Sequence, residues 1–432
     1  MSTEVVTAQK LLYGGEAFAL SEGKVVFVPG LLPGEVAEIQ ILQEKKDYNA
    51  AVPLKILKPS AYRVQPFCPH YGECGGCNMQ HIDYTYQLQL KRDMLQDIFE
   101  KAKVSLPVIE TVSGSPCNYR CRMQFHNGGL KAKASEKIIP IEQCPIATEE
   151  INRWLQTTDC AHRPQGKIQV FGDCRITTGH FFQPDAKVLV ALPQQEDKGL
   201  KIVGKTKKQI KNKVKNRHIG TVQSPQTNCT LSLAVHHNKE VLHKDITFDI
   251  RGFFQSNLEV LEKTVTVLTK ELTELLARYQ PGKEKFNHAL DIYSGAGTLS
   301  VFLAPFCNKI TLVEHNRDAL VYAHTNLQGV HQESYGLSGA TWATTIGKKL
   351  VEKEPVDLAI IDPPRSGIEK ELLTFLSVTP IPFIFYVSCN PTTQARDCST
   401  LEKQGYRIKK FFFLDFYPHT SHIETLALLE HL

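Results

Sequence analysis

The stretch Phe385-Tyr386-Val387-Ser388-Cys389-Asn390-Pro391 carries the strongest local signal in this 432-residue chain. Its apolar and aromatic residues run directly into a Ser-Cys-Asn-Pro turn, which predicts a buried parallel strand that ends at a loop. In open α/β sheets, ligands bind just outside the carboxyl ends of such strands. Cys389 is therefore expected at the mouth of a pocket, where a lowered thiol pKa would make it a nucleophile. A lone Cys is more often a small core residue, so the neighbouring motifs decide between these interpretations.

Two further strands upstream of Cys389 also end in polar residues. The run His288–Ile292 leads into Tyr293-Ser294-Gly295-Ala296-Gly297-Thr298, a glycine turn at which a helix begins. Glycine lets the backbone approach a nucleotide-like ligand closely. The next apolar run ends at Glu314, an acid about twenty residues on that can bind ribose hydroxyls.

The remaining motifs of residues 251–432 also place polar residues at the ends of apolar strands. Asp357–Ile361 is a buried strand that leads into Asp362-Pro363-Pro364-Arg365, where the prolines stop the strand and hold the acid at the pocket edge. Glu424 directly precedes the final apolar run and is either an exposed charge or a buried catalytic carboxylate. Alternating strands and helices predict a doubly wound α/β domain with a Rossmann-like parallel sheet over residues 251–432.

A cysteine-rich segment forms a second strong signal near the N-terminus. Cys68, Cys74 and Cys77 lie within ten residues, and two glycines separate the last pair, so a short loop can wrap around one ion or cluster. Cys144, in a Cys-Pro setting, is the favoured fourth ligand. Cys117 and Cys121 are the competing candidates. Four thiolates suit either zinc or a [4Fe–4S] cluster, and the spacing is not that of a zinc ribbon.

The rest of the N-terminal half is predicted to be rich in strands. Residues 1–58 alternate short strands with turns at roughly ten-residue spacing, which predicts a small β-barrel. Apolar spacing predicts a helix over Tyr84 to Ala102, and 118–125 is expected to be a strand with arginines on it. The central domain, residues 59–250, is therefore expected to combine a cysteine loop with a mainly antiparallel β part.

Composition limits the class of protein. No run of 18 apolar residues and no secretory leader is present, so a cytoplasmic protein without a membrane span is expected. Disulfides are rare in that compartment, so the twelve cysteines need another explanation. Nine Lys/Arg and no acid fall between positions 198 and 217, which indicates either a solvated loop or contact with nucleic acid.

In their order along the chain, these motifs resemble the S-adenosylmethionine-dependent RNA uracil-5-methyltransferases. They are the glycine turn, the strand ending at Glu314, Asp362-Pro363-Pro364-Arg365, Ser388-Cys389-Asn390-Pro391 and the His-x-Glu that ends at Glu424. The strand–Pro-Gly–strand pattern near the N-terminus resembles a TRAM domain, an OB-like RNA-binding module. Together with the cysteine set, it resembles the 23S rRNA branch, which carries a [4Fe–4S] cluster. The resemblance covers nearly the whole chain.

The resemblance implies a role for each matching residue. Cys389 would be the nucleophile and Glu424 the general base, while Cys68, Cys74, Cys77 and Cys144 would hold the cluster. The residues expected to face S-adenosylmethionine are Gln255, Tyr293, Thr298, Glu314 and Asp362. Asp362 and Arg365 lie where they could bind either the uracil edge or the cofactor. Tyr293 and Ser294 depart from the family pattern, which has Phe and Cys there, and the basic run at 198–217 matches no family motif.

Uracil chemistry explains why a thiol and a carboxylate are needed. Carbon 5 of uracil becomes nucleophilic after a thiolate adds to carbon 6, and a base must then remove the carbon 5 proton. The expected partner is a loop or single-stranded uridine of 23S rRNA, bound by a monomer. The alternatives are tRNA uracil-5-methylation, a non-catalytic Fe–S protein that binds RNA, and amino-methylation of adenine or guanine. A nucleophilic Cys389 fits the last two alternatives poorly.

Overall fold

The computed structural model of the protein describes residues 2–181, 187–192, 227–237, 240–379 and 381–432. The basic run at 198–217 lies outside these residues, so its contact with nucleic acid stays a prediction. None of the helices within the described ranges has the length and apolar character needed to cross a membrane.

The N-terminal segment forms a closed five-stranded barrel, as expected. Side chains alternate between buried and exposed along its strands, because successive residues of a strand face opposite sides. The strands pair in the order β1-β2-β3-β5-β4, and β3 runs parallel to β5. The barrel strands are β1 (Thr3–Leu11), β2 (Glu16–Ser21), β3 (Lys24–Pro29), β4 (Val36–Glu44) and β5 (Tyr48–Lys58).

The cysteine loop follows the barrel and leads into helix α1 (Tyr84–Lys101), as its apolar spacing predicts. Asp83 caps this helix by accepting hydrogen bonds from the backbone N–H groups of Thr85 and Tyr86. The next elements, in chain order, are β6 (Ile109–Val112), β7 (Arg122–His126), β8 (Leu130–Lys131), β9 (Ile138–Ile139), α2 (Glu149–Thr157), β10 (Lys167–Gly172), β11 (Ile176–Gly179), β12 (Val188–Ala191), β13 (Asn228–His237) and β14 (Glu240–Asp249).

Most of these central strands pair antiparallel, in small sheets of order β12-β10-β7, β11-β13-β14 and β8-β9. Two expectations need correction. The strand expected at 118–125 begins only at Arg122. Strand β6 pairs parallel with β20 (Tyr406–Leu414) instead of joining the central sheets.

The C-terminal region forms a doubly wound sheet, which confirms the α/β expectation. The described residues give an eight-stranded order of β17-β16-β15-β18-β19-β21-β20-β6, in which β21 runs antiparallel to both neighbours. All six residues of β19 are buried, as a strand covered on both faces requires. The strands not yet given are β15 (Phe286–Ile292), β16 (Cys307–Val313), β17 (Gln332–Tyr335), β18 (Leu358–Ile361), β19 (Phe383–Ser388) and β21 (Glu424–His431).

Helices cover both faces of this sheet. They are α3 (Leu258–Tyr279), α4 (Thr298–Leu303), α5 (Arg317–Asn326), α6 (Gly339–Trp342), α7 (Lys348–Lys353), α8 (Lys370–Val378) and α9 (Pro391–Glu402). Helix α3 packs against β13, and Leu231 of that strand shares one hydrophobic core with Leu268 of the helix. The division into domains 1–58, 59–250 and 251–432 stays a prediction, because this core crosses position 250.

Candidate active site

Three residues meet at the carboxyl edge of the sheet. Cys389 follows β19, Asp362 follows β18, and Glu424 is the first residue of β21. Ser388 pairs with Thr425 in the antiparallel β19–β21 ladder, so the next residues along, Cys389 and Glu424, leave the sheet beside each other. The register of two strands therefore places the predicted nucleophile next to the predicted base.

Glu424 lies in a site that favours its neutral form. It is only 4% exposed. Burial raises the pKa of this carboxyl to about 8, with a further increase from Asp362 and a decrease from Arg365. A carboxylate with this pKa is a much stronger base than an exposed glutamate. The alternative interpretation of Glu424 as an exposed charge is therefore wrong.

The surroundings of Cys389 act on the thiol in the opposite direction from the expected one. Partial burial, Glu424 and Asp362 raise the pKa of Cys389 to about 11, while Arg365 lowers it. The expectation of a lowered thiol pKa is wrong for the free protein, because burial and the charges of two carboxyls outweigh the effect of the one guanidinium. Arg365 is the cation that favours the thiolate here.

The glycine turn lies at the same edge, after β15. Tyr293, Gly295 and Gly297 all have positive φ angles, of 66°, 53° and 74°, so the chain turns sharply before α4 begins at Thr298. Nothing lies within 4 Å of the position that a Cβ atom would take at Gly295. This open space lets a ligand approach the backbone closely.

Polar groups surround this turn. Glu314 is 6% exposed, and its two oxygens accept hydrogen bonds from the backbone N–H groups of Gly295 (3.0 Å) and Asn316 (2.6 Å). The Gln255 amide oxygen is buried and has no hydrogen-bond partner among the described residues. Tyr293 donates from its hydroxyl to Glu369 at 3.3 Å. A buried acceptor without a partner among the described residues fits a ligand that brings hydrogen-bond donors.

Two further desolvated carboxyls, those of Asp291 and Asp362, belong to the same edge of the sheet as Glu424. Desolvation raises the pKa of Asp291 to about 7, even though the Ser300 hydroxyl donates to it. Desolvation and the charge of Asp291 raise the pKa of Asp362 to the same value. A cationic ligand would favour the ionised form of both carboxyls. The edge therefore suits a ligand that carries positive charge.

The four cysteines predicted to hold a cluster lie close together. Burial, together with the charges of Cys144 and Cys74, raises the pKa of Cys77 to about 12. Burial followed by Cys74 raises the pKa of Cys68, and Cys68 in turn raises that of Cys144. Each thiol therefore acts on at least one of the others, and together they link the loop of residues 68–77 to the segment before α2.

The surroundings of these sulfurs suit thiolate ligands. The backbone N–H of Gly76 donates to the Cys74 sulfur at 3.4 Å, and backbone groups of Ile146 and Ala147 hydrogen-bond the Cys144 thiol. Donors of this kind stabilise metal-bound thiolates. In the described part of the chain, no three His, Cys, Asp or Glu side chains approach closely enough to hold a single metal ion. The cluster therefore stays a prediction.

The competing cysteines lie elsewhere. Cys121 is fully buried, and its thiol donates to the Gln255 carbonyl at 3.7 Å. Its nearest charged neighbours are Asp173, Cys229 and Arg175, not the cysteine loop. Cys117 shows a thiol pKa raised by desolvation alone. Neither thiol acts on the other four, so Cys144 is the better-placed fourth ligand.

The loop between β20 and β21 leads directly to Glu424, the predicted base, and is held by residues that follow the cysteine loop. Backbone N–H groups of Asn78 and Met79, next to Cys77, donate to the His419 carbonyl at 3.1 and 3.0 Å. The Asn78 side chain bonds Ser421 twice, donating to its hydroxyl and accepting from its N–H. The cysteine loop therefore fixes the segment that ends at Glu424.

Sequence reasoning missed three residues that shape the site. Tyr13 donates from its hydroxyl to the Cys389 carbonyl at 3.2 Å. Asn78 and Lys91 hold the loop before Glu424. Tyr13 precedes a Gly-Gly pair and Asn78 follows the last loop cysteine, but neither signal reveals a contact between opposite ends of the chain.

Two family models match parts of the chain. The family model described as tRNA (Uracil-5-)-methyltransferase matches residues 349–432, and the TRAM domain matches residues 4–53. An uncharacterized RNA methyltransferase of Treponema denticola is 34% identical, with 99% of each chain covered. The 23S rRNA (uracil(1939)-C(5))-methyltransferase RlmD of Vibrio parahaemolyticus is 29% identical, covering 99% of this chain and 96% of the relative.

A solved structure has a similar fold over nearly the whole chain. The Pyrococcus abyssi tRNA (uracil-54, C5)-methyltransferase, crystallised with S-adenosyl-L-homocysteine, matches 98% of this chain and 99% of its own with a TM-score of 0.63. The two sequences are 24% identical, so this likeness supports the shared fold alone.

Proposed function

The chain belongs to the RNA (uracil-5-)-methyltransferase family, and from this we propose that it methylates carbon 5 of a uridine in 23S rRNA. The methyl donor in this proposal is S-adenosylmethionine. The observation that carries the mechanism is the β19–β21 register, which sets Cys389 beside Glu424 at the mouth of the site. Full-length relatives that are named for 23S rRNA favour that substrate over tRNA.

Cys389 begins the reaction by adding its thiolate to carbon 6 of the extruded uracil. The new S–C bond pushes electrons into the ring, so carbon 5 becomes nucleophilic and takes the methyl group of S-adenosylmethionine. The methyl–sulfur bond breaks, its electron pair stays on the sulfur, and S-adenosyl-L-homocysteine leaves. Arg365 assists the first step because its positive charge lowers the pKa of the thiol. The fixed positions of Cys389 and Glu424 bring the nucleophile and the base close to the same uracil ring, as the two steps need.

Glu424 completes the reaction by taking the proton from carbon 5. The electrons of that C–H bond re-form the carbon 5–carbon 6 double bond, and the S–C bond to Cys389 breaks. A carboxyl whose pKa is raised to about 8 by burial suits this proton transfer near neutral pH. The thiol is then free for another turnover.

The methyl donor is assigned to the pocket beside the glycine turn. S-adenosylmethionine supplies a methyl group on a positively charged sulfur. Glu314 is placed to meet ribose hydroxyls at the edge of this pocket, and the orphaned Gln255 oxygen can accept a hydrogen bond from the donor. Asp362, Tyr293 and Thr298 line the same strand ends. The acidic edge suits the positive charge of the donor.

Cys68, Cys74, Cys77 and Cys144 are assigned as ligands of a [4Fe–4S] cluster. The mutual effects of the four thiols and the N–H groups directed at two of them support this assignment. The role proposed for the cluster is structural, because the adjacent Asn78 fixes the loop that carries Glu424. Iron and acid-labile sulfide analysis of anaerobically purified protein tests this, with Cys144→Ser expected to lose both and Cys117→Ser to keep them. Bound zinc without sulfide would overturn the assignment.

A covalent trap tests the methylation mechanism. Protein and S-adenosylmethionine are mixed with 23S rRNA or tRNA fragments that contain 5-fluorouridine, and adducts are resolved on a denaturing gel. Fluorine cannot leave as a proton does, so the Cys389 adduct is expected to persist. Cys389→Ala should give no band, whereas Cys174→Ala, an exposed thiol away from the site, should trap like the wild type.

The RNA that forms the adduct distinguishes the competing functions. An adduct with the 23S fragment alone supports the proposal, whereas an adduct with tRNA alone supports tRNA uracil-5-methylation. Protein that binds the donor and traps neither RNA would favour the non-catalytic RNA-binding alternative. Glu424→Gln on unmodified RNA is expected to accumulate a methylated adduct, because the base is missing. Action as a monomer in the cytoplasm is part of the same proposal.

A further inference from the structure

Tyr13 of the N-terminal barrel lies at the mouth of the catalytic site, although Cys389 is 376 residues away. It sits in the short turn between β1 and β2. Its hydroxyl donates to the carbonyl oxygen of Cys389 at 3.2 Å, and the residue is 37% exposed. The barrel therefore places an aromatic ring, still accessible to a ligand, directly beside the nucleophile.

The turn that carries Tyr13 is held in place. Gly14 and Gly15 have φ angles of 114° and 90°, a conformation that other residues rarely adopt. A Cβ atom at Gly15 would lie 2.9 Å from the Asn78 amide nitrogen and 3.2 Å from Ser421. Asn78 also donates to the Gly14 carbonyl at 3.2 Å. The turn is thus fixed against the cysteine loop and the Glu424 loop at once.

The charged groups around the Tyr13 hydroxyl agree with its position at the mouth of the site. Burial raises the pKa of the Tyr13 hydroxyl, and Cys389 and Glu424 raise it further, whereas Arg365 lowers it. These are the groups that make up and surround the proposed nucleophile and base, so Tyr13 lies at the mouth through which a target base would reach Cys389.

We propose that Tyr13 is a positioning residue of the active site, with its ring stacked on the extruded target uridine and its hydroxyl fixing the backbone of Cys389. This rests on the proposed uracil methylation. Stacking on an aromatic side chain suits a flipped base, because it replaces the neighbours that the base loses. The barrel then takes part in catalysis in addition to any role in holding RNA.

Single-turnover methylation at saturating RNA tests this role in Tyr13→Ala, Tyr13→Phe and Tyr48→Ala. Tyr48 is the matched control, since it lies on the same barrel and is also 37% exposed, packed beside Phe27. Tyr13→Ala is expected to slow the reaction about tenfold or more, because one base–aromatic stack is lost. Tyr13→Phe keeps the ring and should stay within about threefold. Tyr48→Ala should react at the wild-type rate.

A second measurement needs no RNA. Iodoacetamide alkylation of Cys389, followed by mass spectrometry of its peptide, should be faster in Tyr13→Ala, because the side chain that hydrogen-bonds the Cys389 backbone at the mouth of the site is gone. An unchanged single-turnover rate, a loss confined to RNA affinity, or alkylation at the wild-type rate would each overturn the proposal. If the wild-type protein methylates no RNA, the proposed function itself fails. The alkylation rates then still show whether Tyr13 covers Cys389.

Discussion

Several carboxyl groups at the sheet edge that carries Cys389 lie where their ionised form is disfavoured. Glu424 is buried with a pKa of about 8, and Asp291 and Asp362 have pKa values of about 7. An ionised carboxylate loses much of its hydration in such a place. The same burial that disfavours ionisation also makes Glu424 a stronger base near neutral pH, a gain for catalysis that can outweigh the loss of stability.

This cost predicts how the stability of Glu424→Gln depends on pH. Burial raises the folded-state pKa of Glu424 to about 8, so the folded protein binds a proton that the unfolded chain has already released above its own pKa of about 4.5. The contribution of this group to stability is therefore complete below pH 4.5 and is lost as pH rises through 8. Glutamine cannot ionise and avoids that loss.

Thermal unfolding at pH 5, 7 and 9 checks the prediction. The melting temperature of Glu424→Gln is expected to exceed that of the wild type by an increasing margin as the pH rises. Glu240→Gln, at an exposed carboxylate of β14, is the control and should show no such trend. A constant difference between Glu424→Gln and the wild type across this range would contradict the prediction.

Asp362 and Arg365 are expected to change the reactivity of Cys389 in opposite directions. Asp362 raises the pKa of the thiol and Arg365 lowers it, in each case through charge. Asp362→Asn should therefore speed alkylation of Cys389 at pH 8 and Arg365→Gln should slow it, each by about two- to tenfold. Lys370→Gln, at an exposed cation of α8, should alkylate like the wild type.

Salt provides a second check on this pair of variants. Arg365 is exposed, so added salt should reduce its effect on the thiol more than it reduces that of the desolvated Asp362. Changes of the same sign in both variants would show that the substitutions act by altering shape and not by charge.

At the level of elements, the turn between β15 and α4 depends on glycine. Gly297 has a φ of 74°, and a Cβ atom there would lie 3.1 Å from the Cβ of Ala323 in α5. Gly297→Ala is expected to lower the free energy of unfolding by about 1–3 kcal/mol, through left-handed strain and crowding. Urea denaturation measures this change, and titration with S-adenosyl-L-homocysteine measures the effect on the pocket.

Gly329→Ala separates strain from crowding. Gly329 has a similar φ of 82°, but nothing lies within 4 Å of its Cβ position. Its substitution should cost about 1–2 kcal/mol and leave ligand binding unchanged. If both substitutions weaken ligand binding equally, the Gly297 turn is not the specific support of the pocket.

Elements with strong periodicity were predictable from the sequence. The buried strand before Cys389 and helix α1 follow from apolar patterns, and the small barrel follows from its closely spaced strands and turns. Residues 118–121 were wrongly expected to be a strand. Asn118 has a φ of 53°, and Arg120 instead bridges Ala147 and Asn257. Strand β6 was misplaced because its partner, β20, lies near the other end of the chain.

For the whole molecule, a buried ion pair joins the central helix to the catalytic domain. Lys91 of α1 and Asp415 are 0% and 1% exposed, and their charged atoms lie 2.7 Å apart. Lys91 also donates to the Tyr417 carbonyl, and Tyr84 donates to Asp415. Asp415→Asn leaves the lysine charge buried without its partner, so it is expected to lower the free energy of unfolding by about 3–5 kcal/mol.

The double variant Lys91→Met/Asp415→Asn distinguishes a lost charge partner from lost packing. It removes both charges, so it should be more stable than Asp415→Asn alone. Urea denaturation of the wild type, both single variants and the double variant gives the coupling between the two residues. A double variant as unstable as the sum of its singles would show that the pair does not interact.

The sequence by itself determined the family, the strand-end motifs and the residue types that the chemistry needs. These signals are local, because a strand, a turn and the residue after it are adjacent in the chain. Only the tertiary structure decided that burial raises the pKa values of Glu424 and Cys389, and that Tyr13 of the barrel contacts the backbone of Cys389. Burial, charge and contact depend on segments that are far apart in sequence, so no local pattern contains them.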